Sequence, residues 1–231
     1  MELQSTSVND QALSRPAFIR STYLHLAVAI VAFAVLSALC FFSGIGFAML
    51  KLLSGAPFGW LAMLGGFMVV SWIATRFADT AESRNQQLTG LGLYVLADTV
   101  LFAPMFALAA VAAPGAISSA VLVTALLVAG LTWTAMTAKT DFSFLGGFLK
   151  IGGLVALGAI VMSVFMGFTL GIWFSAAMIL FAAGAILYDT SNIIRHYPTD
   201  RPAGAALHLF ASVTLLLWYV LRFLMQLANS D

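Results

Sequence analysis

A chain of 231 residues that is 62% hydrophobic and only 8% charged is not a water-soluble globular domain, in which about a quarter of the residues are charged. A net charge of +1 without a basic cluster excludes a nucleic-acid surface. Cys40 is the single cysteine, which excludes an intrachain disulfide or a thiolate metal cluster.

Residues 1–21 are polar and carry Glu2, Asp10, Arg15 and Arg20. They lack the short apolar core and cleavage site of a secretory leader, so they read as a tail, with residues 22–231 forming one transmembrane domain. A spanning helix needs about 20 mostly apolar residues. Seven stretches qualify: 22–43, 58–76, 88–112, 116–137, 145–165, 171–193 and 205–227. The fold class is therefore all-α: a polytopic membrane protein built as a seven-transmembrane-helix bundle with short connectors.

The second span ends at Arg76, its one basic residue, where an interfacial anchor is expected. Gly65 and Gly66 in this span, and Gly152, Gly153 and Gly158 in the fifth, suit close helix packing. Pro104 in the third span frees a backbone carbonyl and is expected to kink it. Asp98 stands ten residues past Leu88, about 15 Å in at 1.5 Å per residue and so near the midplane.

The sixth span closes on Ile186-Leu187-Tyr188-Asp189-Thr190-Ser191-Asn192. A carboxylate in such a segment costs roughly 2.5–3.5 kcal/mol to insert at the helix centre. Its usual compensations are a partner, a water-filled cavity or a proton. Asp189 is thus either an ion or proton site, or a pin that bonds Thr190, Ser191 or an arginine at the helix end. In the seventh span His208 and Ser212 lie four residues apart on one face, and Arg222 is expected to snorkel to the headgroups. Trp60, Trp173, Trp218 and Tyr219 fall near span ends, as in an interfacial belt.

Orientation follows from the basic residues. Arg15, Arg20, Arg76, Arg84, Lys139, Lys150, Arg195 and Arg201 fall on the side of the N-terminal tail, against Lys51 and the outer-end Arg222. The N-terminus is expected in the cytoplasm and the C-terminus outside. Neither a His-Glu-x-x-His pair nor a phosphate loop nor a supported Ser-His-Asp grouping occurs, and His25, His196 and His208 are scattered, so a non-enzyme is expected.

The run around Asp189 through Ile193-Ile194 resembles the signature of the Bax inhibitor-1 (transmembrane Bax-inhibitor-motif) family. Ala205-Ala206-Leu207-His208-Leu209-Phe210 with Tyr219-Val220-Leu221-Arg222 is similar to that family's last helix. Thr140-Asp141-Phe142-Ser143-Phe144-Leu145 resembles a segment of a bacterial branch. The resemblance implies a bundle around a central helix that acts as a pH-sensitive calcium leak, in which aspartates of the last two helices share a proton. The sixth-helix acid matches Asp189. The seventh-helix acid falls on Ser212, so the chain departs from the paired-carboxylate pattern. The family's closed state has a basic residue of the second helix latched onto the sixth-helix acid, a role for which this chain offers Arg76.

The expected function is a pH-modulated passive calcium (cation) leak with Asp189 as gate and calcium site. Asp98, His208, Ser212 and Arg76 are the further residues of the pathway or its pH sensing. No cofactor is expected, calcium being the transported ion, and the partners are the lipid bilayer, calcium or other cations, and a membrane protease. The alternative is a non-conducting regulator of an ATP-dependent membrane protease or of a stress response, acting through the cytoplasmic tail. Either would sit in a bacterial inner membrane. To replace the missing acid, protonated His208 is expected to pair with Asp189 within about 4–6 Å; the competing second group is Asp98.

Overall fold

The computed structural model describes residues 13–80 and 83–229. Among them the chain is helical throughout, without a strand: α1 (Arg15–Phe42), α2 (Ile45–Ser54), α3 (Gly59–Ala78), α4 (Arg84–Ala112), α5 (Ala116–Thr137), α6 (Leu145–Met166), α7 (Ile172–Arg195) and α8 (Pro202–Ala228). Seven of these are long and apolar enough to cross a membrane, and each coincides with an expected span. Residues 15–21, which the sequence assigns to the tail, already form the first turns of α1, entered through a proline in its first turn. Residues 1–12 of the expected tail lie outside the described residues. The extra element is α2. Its ten residues cover only about 15 Å, too short to span, so the sequence gives them to a connector.

The core sits around α8. Its residues Ala205, Ala206, Leu209, Phe210, Leu216 and Leu221 are fully buried, and α1, α3, α4, α5 and α7 all pack against it. Lipid tails are as apolar as leucine, so helices in a membrane associate through close packing more than through burial of apolar surface. Small residues make that possible at three places. A Cβ on Gly90 of α4 would stand 2.5 Å from both the Ala74 carbonyl oxygen and the Ala78 nitrogen of α3. One on Gly204 of α8 would meet the Ala78 carbonyl oxygen at 2.6 Å, and one on Gly46 of α2 the Ala103 carbonyl oxygen at 2.6 Å. The first two contacts clamp the last turn of α3 between α4 and α8, and the third seats α2 on α4.

The glycines chosen from sequence fare differently. Gly65, Gly66 and Gly158 face open space, while Gly152 and Gly153 receive the Phe181 ring. Glycine frequency in a span does not say which face turns inward. Helix α4 continues through Pro104, which is buried within it.

Candidate functional site

Polar groups gather at the end of the bundle where α1 begins. Ser212 of α8 faces α7, and its hydroxyl donates to Asp189 Oδ2 at 2.5 Å. The position that resemblance assigns to the second acid is thus the position that touches Asp189. A hydroxyl here serves as donor to the carboxylate rather than as a second proton holder.

His208 stands one turn earlier on the same helix, but its imidazole does not take Asp189 as its hydrogen-bond partner. Its Nε2 lies 3.1 Å from both carboxylate oxygens of Asp79. The hydrogen-bonded partner of His208 is therefore Asp79, while Asp189 acts on it through charge alone, without a hydrogen bond. The cause is the clamp on α3. Gly90 and Gly204 let Ala78 approach so closely that Asp79, the residue that ends α3, is delivered onto the first turns of α8. A Cβ on Gly204 would come within 2.9 Å of Asp79 Oδ1 itself.

Around Asp79 the connector between α7 and α8 closes a knot. The Tyr197 hydroxyl donates to Asp79 Oδ1 at 2.6 Å, and Arg201 Nη1 donates to the Asp79 carbonyl at 2.7 Å. Burial alone pushes the Asp79 carboxyl up. The hydrogen bond and charge of His208, the Tyr197 hydroxyl and Arg201 outweigh it and hold Asp79 below the usual carboxylate value. Burial and the Asp79 carboxylate push the Tyr197 phenol up, so it stays a donor. Arg15 at the start of α1 donates to the Tyr197 carbonyl at 2.6 Å and to the Ile193 carbonyl at 3.3 Å. Gln87 Nε2 donates to the Asp200 carbonyl at 3.1 Å. Helices α1, α3, α4, α7 and α8 are thus tied at one corner.

A second knot holds the connector between α5 and α6. Asp141 Oδ2 lies 2.6 Å from His196 Nε2, and Asp141 Oδ1 accepts from the Ser191 hydroxyl and the Ser143 amide, each at 3.0 Å. The His196 hydrogen bond first, then the Ser143 amide and Ser191, hold the Asp141 carboxyl well below the usual range. Arg195 caps the neighbouring carbonyls of Ala138, Lys139 and Thr140.

Neither Asp98 nor Arg76, the remaining expected site residues, bonds into these two knots. Asp98 is 2% exposed near the middle of α4, and its Oδ2 has no hydrogen-bond partner among the described residues. Arg76 is exposed and lies over the Trp72 ring at 4.7 Å, one turn back on its own helix. In this structure no ion pair joins it to Asp189 among the described residues. Arg222 donates to the Leu170 carbonyl at 3.2 Å beside Gln226, which donates to the same oxygen at 2.9 Å; it pins the α6–α7 corner. Tyr219 is buried, so it does not belong to an interfacial belt; Trp218 is half-buried and packs edge-on against Phe102 at 5.1 Å, and Trp173 is exposed.

Asp79 and Tyr197 escaped the sequence reading. Both flank spans on the basic side of the map, where a lone acid looks like an ordinary solvated loop residue. The available signal was the alanine and glycine spacing of Ala74, Ala78, Gly90 and Gly204, which marks where α3 is gripped. Among the described residues no three His, Cys, Asp or Glu side chains group as a metal site.

A family profile described as "Inhibitor of apoptosis-promoting Bax1" matches residues 15–229. An uncharacterized protein of Pseudomonas aeruginosa is 43% identical over 98 residues, 42% of this chain and 44% of that protein. An uncharacterized membrane protein of Vibrio cholerae is 30% identical over 119 residues, 51% of this chain and 53% of that one. The Escherichia coli protein named "Modulator of FtsH protease YccA" is 42% identical over 66 residues, 28% of this chain and 30% of that one. The chain thus spans about half the length, or less, of these curated relatives. With seven apolar spans and an inner membrane protein among its relatives, the chain is an integral protein of the bacterial inner membrane.

Proposed function

Because the chain belongs to the Bax inhibitor family, we propose that it is a membrane-embedded regulator of an ATP-dependent membrane protease, with no catalytic chemistry of its own. The observation that carries this reading is the kinship with the Escherichia coli modulator of FtsH protease. The geometry supports it at one point. Arg15 fastens the first turn of α1 to the corner between α7 and α8, so α1 begins at the end of the bundle where Asp79, Asp141, Arg195 and Arg201 gather. The distribution of Lys and Arg turns that end to the cytoplasm, where ATP is available to a protease. The tail and the face around Asp79 and Asp141 are then the contact surface. Deleting residues 1–12 should abolish co-purification with a reconstituted protease while the seven-span bundle stays folded. Undiminished co-purification of the truncated chain would remove the tail from the account.

One observation favours a second reading, a passive pH-modulated calcium leak. Asp189 bonds Ser212 between α7 and α8, where a carboxylate and a hydroxyl offer oxygen donors of the kind calcium takes. On this reading Asp189 is the gate, and calcium flux into dye-loaded liposomes depends on it. Asp189→Asn vesicles that leak calcium like wild type, with the same pH profile, would sink this reading without touching the first.

A further inference from the structure

A cavity of about 500 Å³ lies between α3 and α6, with α4 and α8 as its floor. That volume matches sites for drug-sized ligands, about 300–1,000 Å³, which are mostly apolar with a few placed polar groups. Here Asp98 supplies the carboxylate of the wall. Its Oδ2 is buried without a hydrogen-bond partner among the described residues. The Thr214 hydroxyl stands beside the Asp98 carboxylate, but the carbonyls it donates to are those of Phe210 and Ala211 on its own helix, at 3.1 and 3.2 Å.

Aromatic rings frame the carboxylate. Tyr94 lies one turn before Asp98 on α4 and Phe102 one turn after, on the same face. Phe67 meets Tyr94 edge-on at 5.7 Å, and Trp218 meets Phe102 edge-on at 5.1 Å; all four rings line the cavity. Ring faces are electron-rich and attract cations, most strongly where water is excluded. We propose that this cavity binds a lipophilic cation, an amine or onium group on a hydrophobic body, with Asp98 as its counter-ion.

The alternatives fit less of the site. A neutral acyl chain fills the apolar volume but leaves the Asp98 carboxylate without a counter-charge, which is costly in a buried place. A small hydrated metal ion needs about six or more oxygen ligands, against one carboxylate among rings. An anion meets the carboxylate itself. Arg222 also lines the cavity, but it stands eight residues past Thr214 on α8, about 12 Å along the axis. Its guanidinium is held by the Leu170 carbonyl. It therefore repels a cation from the far end and leaves Asp98 as the seat of the charge.

The test uses the purified full chain in lipid nanodiscs with tetraphenylphosphonium as probe, read by calorimetry and by quenching of the cavity tryptophans Trp60 and Trp218. Triphenylphosphine oxide serves as the neutral comparison and tetraphenylborate as the anionic one. Saturable binding of the cation is expected, with both comparisons at least roughly tenfold weaker, a difference of about 1.4 kcal/mol. Asp98→Asn should lose a similar factor, and Asp98→Glu should keep most of the binding. Ala156→Trp, which fills the cavity from α6, should also abolish it. Equal binding of the neutral compound, or undiminished cation binding by folded Asp98→Asn, would overturn the proposal and leave an apolar cavity only. Should Asp98→Asn fail to fold, the comparison of the three probes on wild type and on Ala156→Trp decides.

Discussion

Replacing Asp79 by alanine removes the acceptor shared by the Tyr197 hydroxyl at 2.6 Å and His208 Nε2 at 3.1 Å, while the Arg201 bond to the Asp79 main chain survives. A hydrogen bond to a charged group contributes about 1.5–3 kcal/mol. The Asp79 and His208 side chains are 34% and 38% exposed, so water substitutes for part of what is lost, and a total near 2 kcal/mol is expected. At about 2–4 °C per kcal/mol for a chain of this size, Tm falls by about 4–8 °C at neutral pH. The sign with pH follows from Asp79 lying below its ordinary value in the folded protein. Such a carboxyl stabilises fully above its unfolded value of about 3.9, and the contribution is lost as pH falls through the folded value. The gap between wild type and Asp79→Ala should therefore be full near neutral pH and shrink below about pH 3.9. Thermal unfolding in detergent, followed by near-UV circular dichroism from neutral pH downward, measures it. Equal Tm values at neutral pH, or a gap that widens on acidification, would refute the assignment of Asp79 as the anchor of this corner.

Gly90→Val should destabilise by at least about 1–3 kcal/mol, since the added atoms meet the backbone of α3 and not a movable side chain. Gly65→Val, facing open space, should leave thermal unfolding unchanged, and the reverse order would show that α3 is packed on its other face. Asp141→Asn should speed amide exchange at Phe142 and Ser143, whose amides bond Ser191 and Asp141; protection equal to wild type would remove Asp141 from the α5–α6 knot. Arg76→Ala should change stability by less than about 0.5 kcal/mol, as exposed side chains outside special features do, and a larger loss would revive a latch between α3 and α7.

Hydropathy made the seven spans legible because each has a length that only a bilayer explains, and the short α2 was missed because ten mostly apolar residues, with Lys51 among them, have no such signature. Asp189 stood out for the same energetic reason, and Ser212 was found as its neighbour because family resemblance aligned it there. The partner of His208 was not legible. Helical spacing placed His208 and Ser212 on one face, but the choice between Asp189 and Asp79 depends on where α3 ends relative to α8. That position is set by Ala78 packed against Gly90 and Gly204, three residues far apart in sequence. Depth along a span was legible, whereas rotation about its axis was not, which is also why Gly65, Gly66 and Tyr219 were assigned to the wrong surroundings.

The most direct measurement is the rate at which a reconstituted FtsH-type protease degrades a membrane substrate in vesicles that also contain this protein. The account predicts that the full chain slows degradation in proportion to its amount, and that the chain lacking residues 1–12 does not. An unchanged rate with the full chain, in vesicles whose calcium leak disappears with Asp189→Asn, would contradict it and make the protein a leak.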